Sequence, residues 1–478
     1  MPATQMYIDG KWCDAEAGTC LDVINPATEE TIERVAYGGR SDAARALTVA
    51  KDAIADWQQR TAWERGAYLR RVADLLRDRV DEIATMVTRE QGKPLPEAKG
   101  ELLATVDAFE WYGEEAKRIE GSWLPTKVPG KRYLTIKHPV GVCASISPWN
   151  FPVLLQARKI APALAAGCTI VARPASQTPL CMLMLFECLE AAGLPAGTVN
   201  LVMGSAAEIA DEFMTNPVCR KVSFTGSTEV GKDLMRQAAD SVKRLSLELG
   251  GHAPVLIFDD VDVEQAAKAS VTGKFRNNGQ VCIAPTRFYV HERLKQDFTE
   301  ATVEWTKQIN LGNGLEEGVD VGPMFESGAL ETTQQLIDQA VSTGAKLLTG
   351  GKRAEQFEKG YFFEPTVLTD VTREAQLMIE EPFAPVLPIL SFDRIDEVIE
   401  EANNTIYGLA AYVMTNDLST AIRAAEGLEY GIIGVNDPVP ATVQAPFGGM
   451  KQSGLGRENG HVGIEPYLEL KTVSFGIR

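Results

Sequence analysis

One cysteine sits where packing gives it little to do. In "KFRNNGQVCIAPTRF", Lys274 to Phe288, Cys282 follows Gly279-Gln280-Val281, with Arg276 six positions before it and Arg287 five after. Polar, flexible and cationic neighbours suit a nucleophilic thiol, because the thiolate is the reactive form and nearby positive charge favours it. A nucleophile also needs a base and a donor for the oxygen of the carbonyl it attacks. In "SLELGGH", Glu248 closes an apolar strand-like run ahead of two glycines. Partial burial there would tune it as a general base, although a plain carboxylate at a loop start reads the same way. In "SPWNFP", Asn150 lies between Trp149 and Phe151. Its amide either donates to an oxyanion or serves a buried turn.

Two further stretches suit a nucleotide. "KVSFTGSTEVGKDL" runs as a strand into Gly226, turns, and opens a helix near Gly231. The spacing G-x-x-x-x-G is neither the dinucleotide fingerprint nor a P-loop. It either lets a phosphate approach a helix N-terminus or makes a tight turn. In "CTIVARPASQTPL", a strand ends at Arg173, with Ser176 three positions on. Ligands of open α/β sheets sit at the carboxyl ends of strands, so both residues point to a ribose or phosphate. A surface arginine and a helix-capping serine are the alternative.

The elements that must position these residues fall into three textures. From Ser41 to about Lys117, apolar residues recur at three-to-four spacing, which predicts helices, with Ser41 and Asp42 placed to cap the first. From Thr135 onward, short apolar runs alternate with helical stretches, and a second such series runs from "APVLIF" to "GIIGVN". This predicts an α/β protein with two parallel sheets, joined near Gly250-Gly251. "KRYLTIKHPV" and the tail "YLELKTVSFGIR" are isolated strand-like pieces, which pair either with another subunit or as an edge hairpin within the chain.

Composition narrows the partners. A net charge of −18 argues against nucleic acid and anionic membrane. The most apolar region is interrupted by Asn150, prolines and Arg158-Lys159, so no membrane span is expected. The N-terminus lacks the basic and apolar regions of a signal peptide. Eight cysteines without paired spacing point to a reducing, cytoplasmic setting, and four histidines without a Cys/His cluster point away from a metal site.

"SPWNFP", "RPASQTP", "FTGSTEVG", "LELGG", "FRNNGQVC", "EEPFAPV" and "APFGGMKQSGLGRE" occur in that order. Together they resemble the NAD(P)-dependent aldehyde dehydrogenases over essentially the whole chain. The resemblance implies that family's fold: a Rossmann-type NAD(P)-binding domain over 1–120 and 141–250, an α/β catalytic domain over 251–440, and a small β oligomerisation extension of 121–140 and 460–478. It implies Cys282 as nucleophile, Asn150 as oxyanion donor and Glu248 as the base for thioester hydrolysis. Trp149, Arg173, Ser176, Gly226, Ser227, Gly231, Glu381 and Phe383 fall at cofactor positions, with Glu381 on the nicotinamide ribose. A dimer or tetramer of identical chains is implied as well. A cysteine hydrolase would want a histidine base in a recognisable motif, and acyl-CoA-forming dehydrogenases typically lack the glutamate.

Arg276 and Arg158, in "LLQARK", are similar to the succinic-semialdehyde branch, where two guanidiniums grip a substrate carboxylate. Three departures widen the choice. Ala441 replaces a serine of that branch, with Thr442 and Gln444 new beside it, and Ala284 replaces a second cysteine. "GGHAPV" and "GQVCIAPTRF" look more like 2-oxoglutarate-semialdehyde dehydrogenases. Sulfolactaldehyde also fits two arginines, a broad-specificity aldehyde dehydrogenase is a more distant reading, and His461 either adds a donor or lies on the surface. Arg173 stands where the family usually has lysine, and Ser176 where NAD-preferring members often have glutamate, so NAD and NADP both fit. Of the eight cysteines only Cys282 should matter for turnover: Cys282→Ala should abolish aldehyde-dependent NAD(P)H formation, measured by absorbance.

Overall fold

The computed structural model describes residues 4–477. Four helices, Arg40–Gln59, Ala62–Asp78, Val80–Gln91 and Leu95–Glu115, follow short N-terminal strands. The second opens with a reciprocal cap: the Thr61 hydroxyl accepts from the Glu64 amide at 3.2 Å, and the Glu64 carboxylate accepts from the Thr61 amide at 2.7 Å. The first helix starts earlier than expected. Its cap residue is Gly39, and Asp42 reaches back from within the first turn to accept from the Gly39 amide at 3.3 Å, leaving Ser41 helical.

The strands Val142–Ile146, Thr169–Arg173, Val199–Leu201, Cys219–Thr225 and Arg244–Glu248 form the parallel centre of an eight-stranded sheet. Their spatial order is third, second, first, fourth, fifth. The first two are buried along their whole length, which is why they read as unbroken apolar runs. The winding reverses between the first strand and the fourth, and a crevice opens beyond the carboxyl ends of strands at such a point. Those two ends carry Trp149-Asn150 and Gly226-Ser227.

A seven-stranded sheet, parallel except at one edge, is built around Ala253–Ile257 and Pro285–His291. Its residues alternate between two apolar layers, Val255, Phe288 and Val290 on one face and Leu256 and Tyr289 on the other. The two isolated strand-like pieces pair with each other: Lys131–Pro139 and Leu468–Gly476 run antiparallel in unbroken register, with Ser122–Leu124 on the outer side.

Arg287, which flanks the cysteine in sequence, belongs to the fold. Its buried guanidinium donates to the His252 carbonyl at 3.1 and 2.9 Å, the Ala402 carbonyl at 3.0 Å and the Tyr430 hydroxyl at 2.7 Å. The planar fork reaches three segments at once, which a lysine ammonium cannot reproduce. A hydrogen bond to a charged group contributes about 1.5–3 kcal/mol. Arg287→Met should therefore lower unfolding free energy by about 3 kcal/mol or more in urea titrations, the orphaned acceptors adding to the loss.

Candidate active site

The helix Val263–Phe275 breaks into a turn in which Asn277 (φ 46°), Asn278 (φ 58°) and Gly279 (φ 73°) are all left-handed. A Cβ on Gly279 would lie 2.4 Å from the Ala384 carbonyl, so a side chain there is excluded twice over. The turn delivers Cys282 to a cavity of about 220 Å³, whose walls include Trp149, Asn150, Gly226, Ser227, Glu381 and Phe383. Trp149 stacks on Phe325 at 4.0 Å and meets Phe383 edge-on at 5.8 Å. The Asn150 Nδ2 donates to the Gln280 carbonyl at 3.1 Å, and its Oδ1 has no partner among the described residues. That bond orients the amide, with nitrogen toward the cysteine loop.

The surroundings of the thiol favour its neutral form. Burial and then Glu381 push Cys282 up to about 12, with Arg158 opposing them and Glu248 adding to the rise. Glu248 ends the strand Arg244–Glu248 and is buried. Its Oε1 lies against Gly448, and its Oε2 has no partner among the described residues. Burial and then Glu458 hold it well above the usual carboxylate range, against Lys159, Arg457 and Arg158. Lys159 and Glu458, which the sequence reading did not single out, form a buried pair at 2.7 Å, and Lys159 also donates to the Thr225 hydroxyl at 2.7 Å. A lysine with no exposed side-chain surface inside "LLQARKIAPAL" was the available signal.

An adjoining cavity of about 550 Å³ shares Trp149, Thr225 and Gly226 with the first and is lined by Arg173 and Ser176. Arg173 donates to the Ser176 hydroxyl at 2.8 Å and the Gly204 carbonyl at 2.9 Å. Arg173 Nε and Ser147 Oγ are buried without partners among the described residues. Gly231 acts in packing: a Cβ there would meet the Leu249 methyls at 2.5 and 2.6 Å, so the helix Thr228–Ala239 sits hard against the end of its neighbouring strand. Ser227 caps that helix, accepting from the Val230 amide at 3.4 Å. An elongated pair of hollows, a helix N-terminus at their junction and spare donors at the far end fit a dinucleotide.

The substrate-side residues separate. Arg158 is buried, lies over the Phe447 ring at 4.6 Å and stabilises negative charge on both Cys282 and Glu248. Arg276 lies over Phe151 at 5.2 Å and lines a different cavity of about 470 Å³ with Glu97 and Lys268. Tyr412 lies within the electrostatic reach of both Arg276 and Cys282, and its hydroxyl donates to the Ile283 carbonyl at 2.6 Å. Neither guanidinium is in a salt bridge among the described residues. Thr442 and Gln444 are exposed and hydrogen-bonded to each other, and neither borders the cysteine cavity. His461 is turned outward, its Nδ1 2.6 Å from the Glu115 carboxylate, which takes it away from that cavity.

A doubly wound sheet, a second α/β unit and a half-buried cysteine sharing the crevice with an amide define an oxidoreductase of nucleotide-dependent type. The aldehyde dehydrogenase family profile matches residues 12–473, and the chain belongs to that family. It is 46% identical to the glutarate-semialdehyde dehydrogenase of Pseudomonas putida over 473 residues, 99% of this chain and 98% of that protein. It is 45% identical to the 3-sulfolactaldehyde dehydrogenase of Pseudomonas putida (99% and 97% covered) and 44% to the NADP(+) succinate-semialdehyde dehydrogenase of Escherichia coli (99% and 98%). The solved succinate-semialdehyde dehydrogenase of Burkholderia pseudomallei superposes with a TM-score of 0.97 at 44% identity, covering 99% of this chain and 98% of that one. A betaine aldehyde dehydrogenase of Staphylococcus aureus in complex with NAD+ gives 0.97 at 37% identity (99% and 95% covered). Among the described residues no helix is long and apolar enough to cross a membrane, and no group of three metal-binding side chains occurs.

Alkylation by iodoacetamide follows the thiolate fraction. With the thiol pushed up from 9.0 to about 12, the labelling rate of Cys282 should still be climbing above pH 9.0. Arg158→Ala should slow it at every pH, since Arg158 favours the thiolate. Rates measured by intact-mass time courses check both, and a plateau near pH 8 would contradict the first.

Proposed function

We propose that the protein oxidises an anionic semialdehyde to its acid, with succinate semialdehyde or a close analogue such as glutarate semialdehyde as substrate. The observation that carries this is that neither Arg158, which acts on the Cys282 thiol, nor Arg276, which lines the separate cavity with Glu97, is in a salt bridge among the described residues, in a chain of net charge −18. A strongly acidic protein repels anions at long range, so capturing one takes local guanidiniums that are not locked in salt bridges. The names of the relatives support the same substrate class, with sulfolactaldehyde as a second anionic reading. Ala441 stands where the succinic-semialdehyde branch has a serine, so kcat/KM measured on each of these anionic aldehydes decides among them.

In this reading the Cys282 thiolate attacks the aldehyde carbon, and the Asn150 Nδ2 and the Cys282 backbone N–H hold the oxygen that becomes negative. When bound, NAD(P)+ would supply the hydride acceptor, and Trp149, Gly226, Ser227 and Arg173 line the two hollows that would hold it. Loss of hydride from the thiohemiacetal carbon leaves a thioester on Cys282. Glu248 turns from Gly448 toward the thioester and takes a proton from the water that hydrolyses it, Lys159 and Glu458 setting its charge from behind. Arg173 and Ser176 take the adenosine ribose or its 2′-phosphate. Serine lacks the charge that would repel the phosphate, so NADP is accepted alongside NAD. The division into a cofactor domain (1–120 and 141–250), a catalytic domain (251–440) and an extension (121–140 and 460–478) follows the same reading. The exposed Trp123, Leu470 and Phe475 suit the extension to contact between identical chains.

The test compares kcat/KM for succinate semialdehyde and butanal in wild type, Arg158→Ala and Arg276→Ala, with melting temperatures. Losing one clamp bond, worth about 1.5–3 kcal/mol, should lower the anionic value by about 10- to 150-fold. The butanal value should change little or rise. Parallel losses on both substrates, or a wild-type preference for butanal, would refute the clamp.

A further inference from the structure

The segment linking the third and fourth helices reaches both reacting groups from behind. Lys93 has no exposed side-chain surface, and its Nζ donates to the Asn150 carbonyl at 2.6 Å and to Glu101 Oε2 at 2.7 Å. The other Glu101 oxygen accepts from the amides of Val153 at 3.0 Å and Leu154 at 3.3 Å, at the start of the helix Pro152–Ala166. One turn along, Glu97 Oε2 accepts from the Asn277 amide at 2.9 Å, within the left-handed turn that leads to Cys282. Asn277 closes the circuit, its Nδ2 donating to the Asn150 carbonyl at 3.2 Å and the Gln280 carbonyl at 3.3 Å.

We propose that Lys93 and Glu97 are positioning residues that set the register between the Asn150 amide and the Cys282 thiol. The inference rests on the reading of those two groups as the reacting pair. Asn150 follows the first strand of the nucleotide-side sheet and Cys282 precedes Pro285–His291, the central strand of the other, so their spacing is not fixed within either unit. Lys93, two residues before the helix Leu95–Glu115, holds the Asn150 backbone, and Glu97, in that helix's first turn, holds the backbone of the turn that leads to Cys282. Their chemistry fits this role better than filling space. Burial drives Lys93 below its ordinary value, against Glu101, which favours the charged form. An apolar side chain would occupy the site without that desolvation cost. What the ammonium adds is a directed bond to one carbonyl, and Lys93 also lies 3.7 Å from the centre of the Phe151 ring, which fixes the residue after Asn150. Glu97 supplies an acceptor to a left-handed residue whose amide the broken helix no longer serves. A misplacement of about 1 Å in a reacting group costs on the order of 100-fold in rate.

The experiment uses full-length enzyme at saturating NAD(P), with kcat and KM for the best semialdehyde, the melting temperature, and the iodoacetamide rate of the cofactor-free protein. In folded Lys93→Met, kcat should fall about 10- to 100-fold while KM stays near wild type, and Cys282 labelling should change with it. Glu97→Leu should behave likewise, whereas Glu97→Gln, which keeps an acceptor oxygen for the Asn277 amide, should recover most of the lost kcat. A role in stability alone would lower the melting temperature of Glu97→Gln and Glu97→Leu without this split. Wild-type kcat in both Lys93→Met and Glu97→Leu, or equal losses in the two Glu97 variants, would overturn the inference. If Lys93→Met does not fold, the Glu97 pair decides. Cys282→Ala is run alongside, and turnover surviving there would bring down the active-site reading itself, a different result from unaltered positioning variants.

Discussion

Three left-handed residues in a row are the constraint on which the site depends. Asparagine visits this region more readily than most side chains, yet each such residue still costs about 1–3 kcal/mol and persists only where its surroundings over-determine it. Here they do. Asn278 Nδ2 donates to the Gly322 carbonyl at 3.1 Å, the Gln280 amide donates to the Asn277 carbonyl at 3.0 Å, and Gln280 Oε1 accepts from the Phe325 amide at 2.9 Å. The reversal explains why Arg276 and Cys282, close in sequence, face different cavities with Tyr412 between them. It also explains the amide–thiol geometry, because Gln280, the residue whose carbonyl orients Asn150, is fixed by the same turn.

The electrostatics of the crevice work against reaction at rest. Glu381 and Glu248 both raise the thiol, and Glu458 raises Glu248 in turn. Arg158 is the group that opposes both, and the Lys159 ammonium bears on Glu248 alone. An arriving anion at Arg158 would draw on the same positive charge that favours the thiolate, so substrate capture and nucleophile activation share one guanidinium. Glu381, pushed up to about 8 by burial, faces Lys274, itself lowered to about 7 by burial and without a hydrogen-bond partner among the described residues.

Much of this was legible in the residues. The β-α alternation from Thr135 gives the parallel sheets because strands covered on both faces must be apolar throughout, and that pattern survives in "GVCASIS" and "CTIVARP". Asn150 and Gly226 follow strand ends, Cys282 follows a broken helix and Glu381 follows the short helix Gln376–Ile379, all at the same crevice. Less legible were the pieces whose meaning lies in a distant partner. Lys93 looks like a turn lysine until the Asn150 carbonyl is in place, and Arg287 looks catalytic until its acceptors on three other segments are known. His461 and Gln444 sit near the cysteine's side of the fold in sequence terms, but local pairing with Glu115 and Thr442 turns them elsewhere. A tight turn and a phosphate-binding turn share the same glycines, so Gly231 declared its packing role only once Leu249 lay against it.

The tail strand has a consequence for how the molecule is made. Tyr467, just before Leu468–Gly476, lies under the nucleotide-side sheet: its hydroxyl shares a hydrogen bond with Ser223 at 2.9 Å, and its carbonyl accepts from the Val140 amide at 3.0 Å and faces the Cys168 thiol at 3.4 Å. The strand after it supplies the inner partner of Lys131–Pro139. During synthesis the earlier strands can assemble first, but the underside that Tyr467 covers stays open and one edge of Lys131–Pro139 stays bare until residues 467–476 have emerged. Domains generally fold as they emerge, and bare edges invite wrong pairings. A copy truncated before Tyr467 would keep an uncovered patch under the nucleotide-side sheet and an unpaired edge on Lys131–Pro139.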